Sequence, residues 1–500
     1  MSNKLPDSFV SQETIALLEG AAANTAVSND YKCLVCIFML GASDSHNMVV
    51  PYGTDNPNRS LYETARPFGV RLENSELTNS VLSGTTPPWA LNPNLVGSLQ
   101  EWNAGNLAII RDVGVLNKPT TKAQYSSDLS FRPDALFAHN SQQLAWQTAV
   151  APRALRTTGW FGRTTNLVDD AFNPNMTISS GCLSVSGANP QTFAYSPKIN
   201  AVYPATKLSS GSARGSVSAD FTAIRELFYH KNKTLSPFQT NTPLQNNIVI
   251  NAFRDIFNNS ADGQESLSNV VSGWVVTGDP TQIPDRLEKV FVDALAQLNS
   301  TTIQTPNPTD ANSPYTRSLP NSYFVNTMKN IAKIIYARGA DKLNQRRQLI
   351  FSGVGGWDNH NGLRSLHDPQ LRSLDICIKA LIDALKIMGV YDQVTVFTES
   401  EFGRTLRSNG TFGTDHAWSG HSFVFGGSVR GGMYGPEPNY TLGGPKDAVG
   451  NLGRFIPNYS IEQYYGTMLK WMDLPESLIP LALPNLPAFT PRDIGFMETI

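Results

Sequence analysis

Carboxylates and histidines gather in a few short polar motifs of this chain, and three such motifs directly follow an apolar run of buried-strand type. The run 33–40 precedes Gly41-Ala42-Ser43-Asp44-Ser45-His46-Asn47, the run 349–351 precedes Gly355-Gly356-Trp357-Asp358-Asn359-His360, and the run 394–397 precedes Glu399-Ser400-Glu401-Phe402-Gly403-Arg404. Parallel sheets collect the carboxyl ends of their strands along one edge, so residues distant in sequence can meet there. Carboxylates and imidazoles that meet are candidate ligands for a metal ion.

Asp358-Asn359-His360 is the sharpest of these motifs. The glycines before it let the backbone turn tightly, and in an extended loop Asp358 and His360 can face one ion. The competing reading is an Asp that caps a helix beside a solvated His. Asp415-His416, with His421 close behind, follows a Gly-rich turn. It can place donors on neighbouring ions, or be a turn in which Asp415 accepts backbone amides. Glu401 lies just past a strand, Gly403 permits close backbone approach, and Arg404 can grip an oxyanion through two parallel hydrogen bonds. A Glu401–Arg404 salt bridge is the plainer alternative. Asp44 fits the same edge, as a ligand or as an N-cap. Together these residues make two carboxylate-rich half-sites, which suits a pair of divalent cations binding a phosphate or sulfate ester.

The elements that must position them are legible in the apolar periodicity. Strand 33–40 opens the core. Leu91 to Val115 reads as helix, short turn and strand, whereas 52–90 is turn-rich and polar. From 323 to 427 helices and strands alternate: a helix carrying Val325, Met328, Ile331 and Ile335, strand 348–354, a helix carrying Leu371, Leu374, Ile378 and Leu385, then strand 393–398. That order makes a parallel crossover. Helices are expected at 11–18, 219–229, 285–298 and 461–472. Residues 1–30 read as an N-terminal arm, and 31–500 as a single α/β domain. Within it, 153–320 is a long loop-rich insertion or cap.

Bulk properties narrow the function classes. A net charge of -2 over 500 residues argues against a nucleic-acid or anionic-membrane surface. No apolar stretch approaches the roughly 20 residues of a membrane helix. The charged fraction is only 16%, with Asn, Ser, Thr, Gly and Pro taking up the difference, which suits ordered polar loops. Four cysteines do not make a disulfide framework in a chain this size. Cys33 and Cys36 lie on opposite faces of a strand and read as buried small hydrophobes. No secretion signal is legible. Either the chain stays inside, or a leader has been removed, or export uses another route. The composition is compatible with a periplasmic, extracellular or cell-surface location.

Gly355-Gly356-Trp357-Asp358-Asn359-His360, Glu401-Phe402-Gly403-Arg404-Thr405 and Asp415-His416 resemble the marks of the domain-of-unknown-function 1501 family. That family is sulfatase-like and belongs to the alkaline phosphatase superfamily. Gly41-Ala42-Ser43-Asp44 resembles its opening Gly-Gly-x-Asp, and Leu136-Phe137-Ala138-His139-Asn140 with Gln142-Gln143 another of its segments. The resemblance runs from about residue 33 to about residue 436. It implies an alkaline-phosphatase-like fold: a central, mostly parallel sheet with helices on both faces and the site at the strands' carboxyl edge.

The resemblance also implies metal ligands. Asp44 matches the first Asp, and Glu401 stands where an Asp-His-Gly would begin. Asp358, His360 and one or both of His416 and His421 complete the second site, with Asp415 beside them. Phe402 in place of a histidine makes the first site poorer in nitrogen and favours an ion harder than zinc. One departure concerns the nucleophile. The family's Ser-His-Asn-Asp-Gln reads here Ala138-His139-Asn140-Ser141-Gln142. Ala138 has no hydroxyl, and Ser141 serves only if the helix presents it.

The expected function is therefore a metal-dependent hydrolase of small-molecule or polymer-borne phosphate or sulfate esters. Asp44, Asp358, His360, Glu401, Asp415, His416 and His421 hold one or two divalent ions, of which Zn, Mn, Ca and Mg are not distinguishable. Ser141 is the candidate nucleophile, Arg404 steadies the anion, and His139 is a proton donor or further ligand. The rival is an inactive exported or surface-associated structural or assembly protein that keeps the fold. A homo-oligomer or assembly partner would dock on 153–320.

Overall fold

The computed structural model describes residues 31–150, 159–173, 182–185, 274–339 and 342–498. The arm 1–30, the expected helix at 219–229 and most of the 153–320 stretch, with the partner surface assigned to it, lie outside the described residues.

Strand β1 (Lys32–Leu40) is buried at every residue but Leu40. Successive strand side chains point to opposite faces, so both faces of its sheet must be covered. They are. Cys33, Val35, Ile37 and Met39 enter one core, and Leu34, Cys36 and Phe38 enter another. All four cysteines are buried, and none forms a disulfide.

In chain order there follow β2 (Val49–Pro51) and β3 (Trp89–Leu91), which pair with each other, then β4 (Leu107–Gly114) and β5 (Cys182–Ser184). The hairpin β6 (Thr302–Thr305) and β7 (Tyr315–Ser318) comes next. The remainder are β8 (Arg347–Gly355), β9 (Val394–Glu399), β10 (Gly420–Phe425), β11 (Gly432–Tyr434) and β12 (Tyr459–Ser460). The central sheet has the order β11-β4-β10-β9-β1-β8-β5, with β12 also on β4. Among these strands β10 alone runs against the rest, antiparallel to both β9 and β4. The fold is thus mixed α/β on a large, mostly parallel sheet.

Helices cover both faces, as a parallel sheet requires. Ile283–Ser300, Tyr323–Tyr336 and Leu363–Ile387 place Phe291, Met328, Ile331 and Leu374 in the first core. Trp160–Phe172 and Ile461–Trp471 place Phe161, Val168, Tyr465 and Met468 in the second. The crossover from β8 to β9 does not join neighbours, because β1 sits between them and pairs in parallel with both. Hence β1, β8 and β9 end side by side at Leu40, Gly355 and Glu399, and β10 begins at the same edge with Gly420. Among the described residues no helix is long and apolar enough to cross a membrane.

Three segments differ from the sequence expectation. Residues 52–90 contain the helix Pro57–Ala65, whose Asn56 side chain caps Asn58 N and whose first position is Pro57. That start signal sits before a mostly polar run, which hides it from a periodicity search. The polar stretch 300–322 holds the hairpin of β6 and β7. Within 153–320, β5 pairs with β8 in the main sheet, a three-residue strand too short to be read in advance.

Glu399 ends β9 inside the second core, among Cys36, Tyr464 and Tyr465, and is wholly buried. Burial pushes its carboxyl up to about 8. The native state therefore keeps a proton that the unfolded chain releases above 4.5, and stability falls as pH rises toward 8. Glu399→Gln removes that titration. Urea unfolding at pH 5 and pH 8 should show a smaller loss over this interval in the variant than in the wild type. Equal losses would assign the titration to another group.

Candidate metal centre

Arg404, just past β9, gathers the loops. It is 1% exposed. Its Nε donates to the Ala42 carbonyl at 2.8 Å and Nη1 to that of Thr414 at 2.9 Å. Nη2 donates to the carbonyls of Gly41 at 2.6 Å and Trp357 at 3.3 Å, and also to Asp358 Oδ1. One guanidinium thus holds the loops that follow β1 and β8 and the loop that precedes β10. These N–H groups are engaged within the protein, which leaves them unavailable as the expected oxyanion clamp. The packing needs glycine: a Cβ on Gly403 would lie 1.9 Å from the Ser419 carbonyl oxygen, and one on Gly413 2.0 Å from that of His360. Ala42, in place of the resemblance's second glycine, has φ +68°.

Around Asp358 the structure brings together His139, His360 and His416. Asp358 Oδ1 lies 3.0 Å from His360 Nε2 and 3.3 Å from His416 Nε2, and its Oδ2 lies 3.6 Å from His139 Nε2. The Nε2 atoms of His360 and His416 are 3.0 Å apart. Ligand atoms of His139, Asp358 and His416 all fall within 4.8 Å of one another, the spread of a metal site. The three imidazoles are held from behind. His139 Nδ1 meets Glu401 Oε1 at 2.7 Å, His360 Nδ1 meets Asp415 Oδ1 at 3.0 Å, and His416 Nδ1 meets the Phe137 carbonyl at 2.8 Å. Each of those partners is an acceptor, so each Nδ1 carries a hydrogen, and in the neutral imidazole each Nε2 then presents a lone pair inward. His139 Nε2 is buried without a hydrogen-bond partner. His416 Nε2 faces Asp358 Oδ1, an acceptor, and His360 Nε2.

The hydrogen bond that His139 donates to Glu401 holds His139 above the usual imidazole value, whereas burial pulls His416 below it. Burial works against ionised Asp358, yet Arg404, His360 and His139 outweigh it and hold the carboxyl below the usual range. Burial likewise opposes Asp415, which Asn409 and His360 bring down. The site is open to solvent: the Asp358 side chain is 47% exposed and that of His360 37%.

Other expected residues stand elsewhere. Glu401 is wholly buried behind His139, where Oε1 also accepts from Gly41 N at 2.9 Å and Gln143 Nε2 at 3.0 Å. Asp44 is buried away from this cluster. Arg66 Nη2 reaches both its oxygens at 3.0 and 2.9 Å, and Thr414 donates to Oδ2 at 3.0 Å. Burial works against this carboxylate, but Arg66 and nearby His46 and His367 keep it below the usual range. His421 is buried beside Asp112, whose backbone N–H it accepts at 3.2 Å. Ala138 caps the helix His139–Thr148 without a side-chain hydrogen bond. On that helix His139, Gln143 and Trp146 all reach Glu401. Ser141, two residues beyond His139, projects roughly 200° around the axis from it.

Sequence reasoning missed Arg66, the Phe137 carbonyl and Gln143. Arg66 follows the helix flagged only by Asn56-Pro57, and no side-chain pattern reports a backbone carbonyl.

Arg404→Lys keeps the charge but cannot reach four carbonyls and a carboxylate. The variant should lose about 2–4 kcal/mol of stability, measured by urea unfolding, because buried acceptors are left unpaired. A near-neutral change would show that the loops hold without it.

No curated protein matches the chain. Residues 278–446, which carry the Asp358, Glu401 and Asp415 motifs, match the profile of the family described as protein of unknown function (DUF1501).

Proposed function

We propose that this chain is a metal-dependent hydrolase of phosphate or sulfate esters, with the alkaline-phosphatase-like architecture its motifs resemble, working at one divalent ion. The observation that carries the reading is the convergence of three Nε2 atoms on the Asp358 carboxylate, those of His360 and His416 lying 3.0 Å apart. A cation held among them would offset the repulsion of lone pairs so close. His139, Asp358, His360 and His416 are its ligands, and the exposure of Asp358 and His360 leaves a side of the site to an incoming ester. A position open to solvent marks catalytic rather than structural sites. A divalent ion held there supplies Lewis acidity to the ester oxygen.

One ion rather than two follows from Asp44. Its oxygens are already bound by Arg66 and Thr414, so the guanidinium neutralises the carboxylate that a second cation would need. With Ala138 at the helix start and Ser141 turned away from Glu401, water is the attacking group. The same alanine favours the second reading, an inactive exported or surface-associated structural or assembly protein that retains the centre without turnover.

Elemental analysis of chain purified without chelator should give one divalent ion per chain, lost in Asp358→Asn. Aryl phosphate or aryl sulfate should be hydrolysed by wild type and Ser141→Ala alike, but not by Asp358→Asn. A fully loaded wild type inert on both esters with Zn, Mn, Ca and Mg would establish the scaffold instead. Inactivity of Ser141→Ala with its ion retained would return the nucleophile's role to that serine.

A further inference from the structure

We infer that Glu401 and Asp415 are positioning carboxylates, and that by fixing His139 and His360 they make the centre nitrogen-rich and selective for a zinc-like ion over calcium or magnesium. This rests on the metal-site reading above and adds the identity of the ion and the residues that set it.

Glu401 is engaged behind His139 and not at the face that His139 Nε2 presents. Its side chain is wholly buried behind His139, and its Oε1 already accepts from His139 Nδ1, Gly41 N and Gln143 Nε2. A carboxylate on Nδ1 fixes the tautomer, aims Nε2 and raises its basicity. Asp415 repeats the device on His360. Its Oδ1 takes His360 Nδ1 at 3.0 Å and Asn409 Nδ2 at 3.1 Å, and Asn409 also donates to the His360 carbonyl at 2.9 Å. The third imidazole, His416, is aimed by the Phe137 carbonyl. Phe402, which stands where the resemblance places a ligand histidine, packs its ring 5.0 Å from that of His139 and 4.8 Å from that of His416. It braces the imidazoles instead of adding a donor.

The donor set is then three imidazole nitrogens and one carboxylate. Imidazole suits zinc and similar transition ions, whereas calcium takes six to eight oxygens and magnesium keeps an octahedron of oxygens and waters. The expectation of an ion harder than zinc concerned the half-site of Asp44 and Glu401, where Phe402 replaces a histidine. The donors gather instead around Asp358, where His139 joins from a helix start more than 200 residues upstream of the other ligands.

The test is calorimetric titration of the chelator-treated full chain with zinc, calcium and magnesium chloride, together with the visible spectrum of the cobalt-loaded protein. Zinc should bind one per chain, with calcium and magnesium at least 100-fold weaker, and cobalt should give intense bands of a low-coordinate nitrogen-rich site. Glu401→Gln and Asp415→Asn should each weaken zinc by about 10- to 100-fold, with one site and the cobalt bands retained. Asp358→Asn should change the bands themselves. Asp415 is partly exposed, so Asp415→Asn is informative even where Glu401→Gln fails to fold. Unchanged zinc affinity in Asp415→Asn, loss of the cobalt bands in Glu401→Gln, or calcium or magnesium binding as tightly as zinc would overturn the inference. These readouts need no turnover. Tight zinc without ester hydrolysis would defeat the hydrolase reading and leave this one standing, whereas hydrolysis with tight calcium would do the reverse.

Discussion

Arg404 must place its N–H groups where water cannot reach, and the rest of the site depends on how it does so. Its acceptors are carbonyls from loops that leave β1 and β8 and approach β10, plus the carboxylate of Asp358. Unpaired, the buried carbonyls among them would each cost about 1–3 kcal/mol. Loops that share one fork of donors cannot drift apart. The position of Asp358 relative to His360 and His416 is therefore set by backbone geometry as much as by the side chains themselves.

A second buried guanidinium works one layer deeper. Arg66 pairs with Asp44 and also donates to the carbonyls of Thr405 and Leu406 and to Asn47. The two arginines divide the labour: Arg404 ties the loops that carry the site, and Arg66 ties the loop after Arg404 to Asp44 and Asn47. A buried pair of this kind contributes little net stability against the cost of desolvating both charges. It does fix which loops meet.

The parts of this arrangement that could be read in the sequence are those written in side-chain periodicity. The runs ending at Leu40, Gly355 and Glu399 are apolar on both faces because both faces are covered, and that pattern announces a buried parallel sheet. Asp358, His360 and His416 were legible because ligand-type residues sat just past those runs or in the loop before β10. What escaped is written in tertiary contact. Arg66 reaches Asp44 from a helix whose buried residues include Asn58 and Arg59, which a search for apolar stripes passes over. The roles of Glu401 and Asp415 depended on which side of an imidazole each occupies, a matter of a few ångströms that spacing cannot express. Ser141 failed to join the site for a simpler reason: helical geometry puts positions i and i+2 on different faces.

The central place of β1 has a consequence for synthesis. Its neighbours, β8 and β9, both lie more than 300 residues further along the chain. At roughly 5–20 residues per second, the ribosome needs roughly a quarter of a minute to a minute to deliver them. Throughout that interval a nine-residue strand, apolar on both sides, has neither partner edge. Closing so long a loop costs little more than closing one of half its length, so the final pairing is not penalised. The waiting is. This sheet cannot grow outward from its first strand, and a nascent chain of this protein needs its centre shielded until the last third of the sequence emerges.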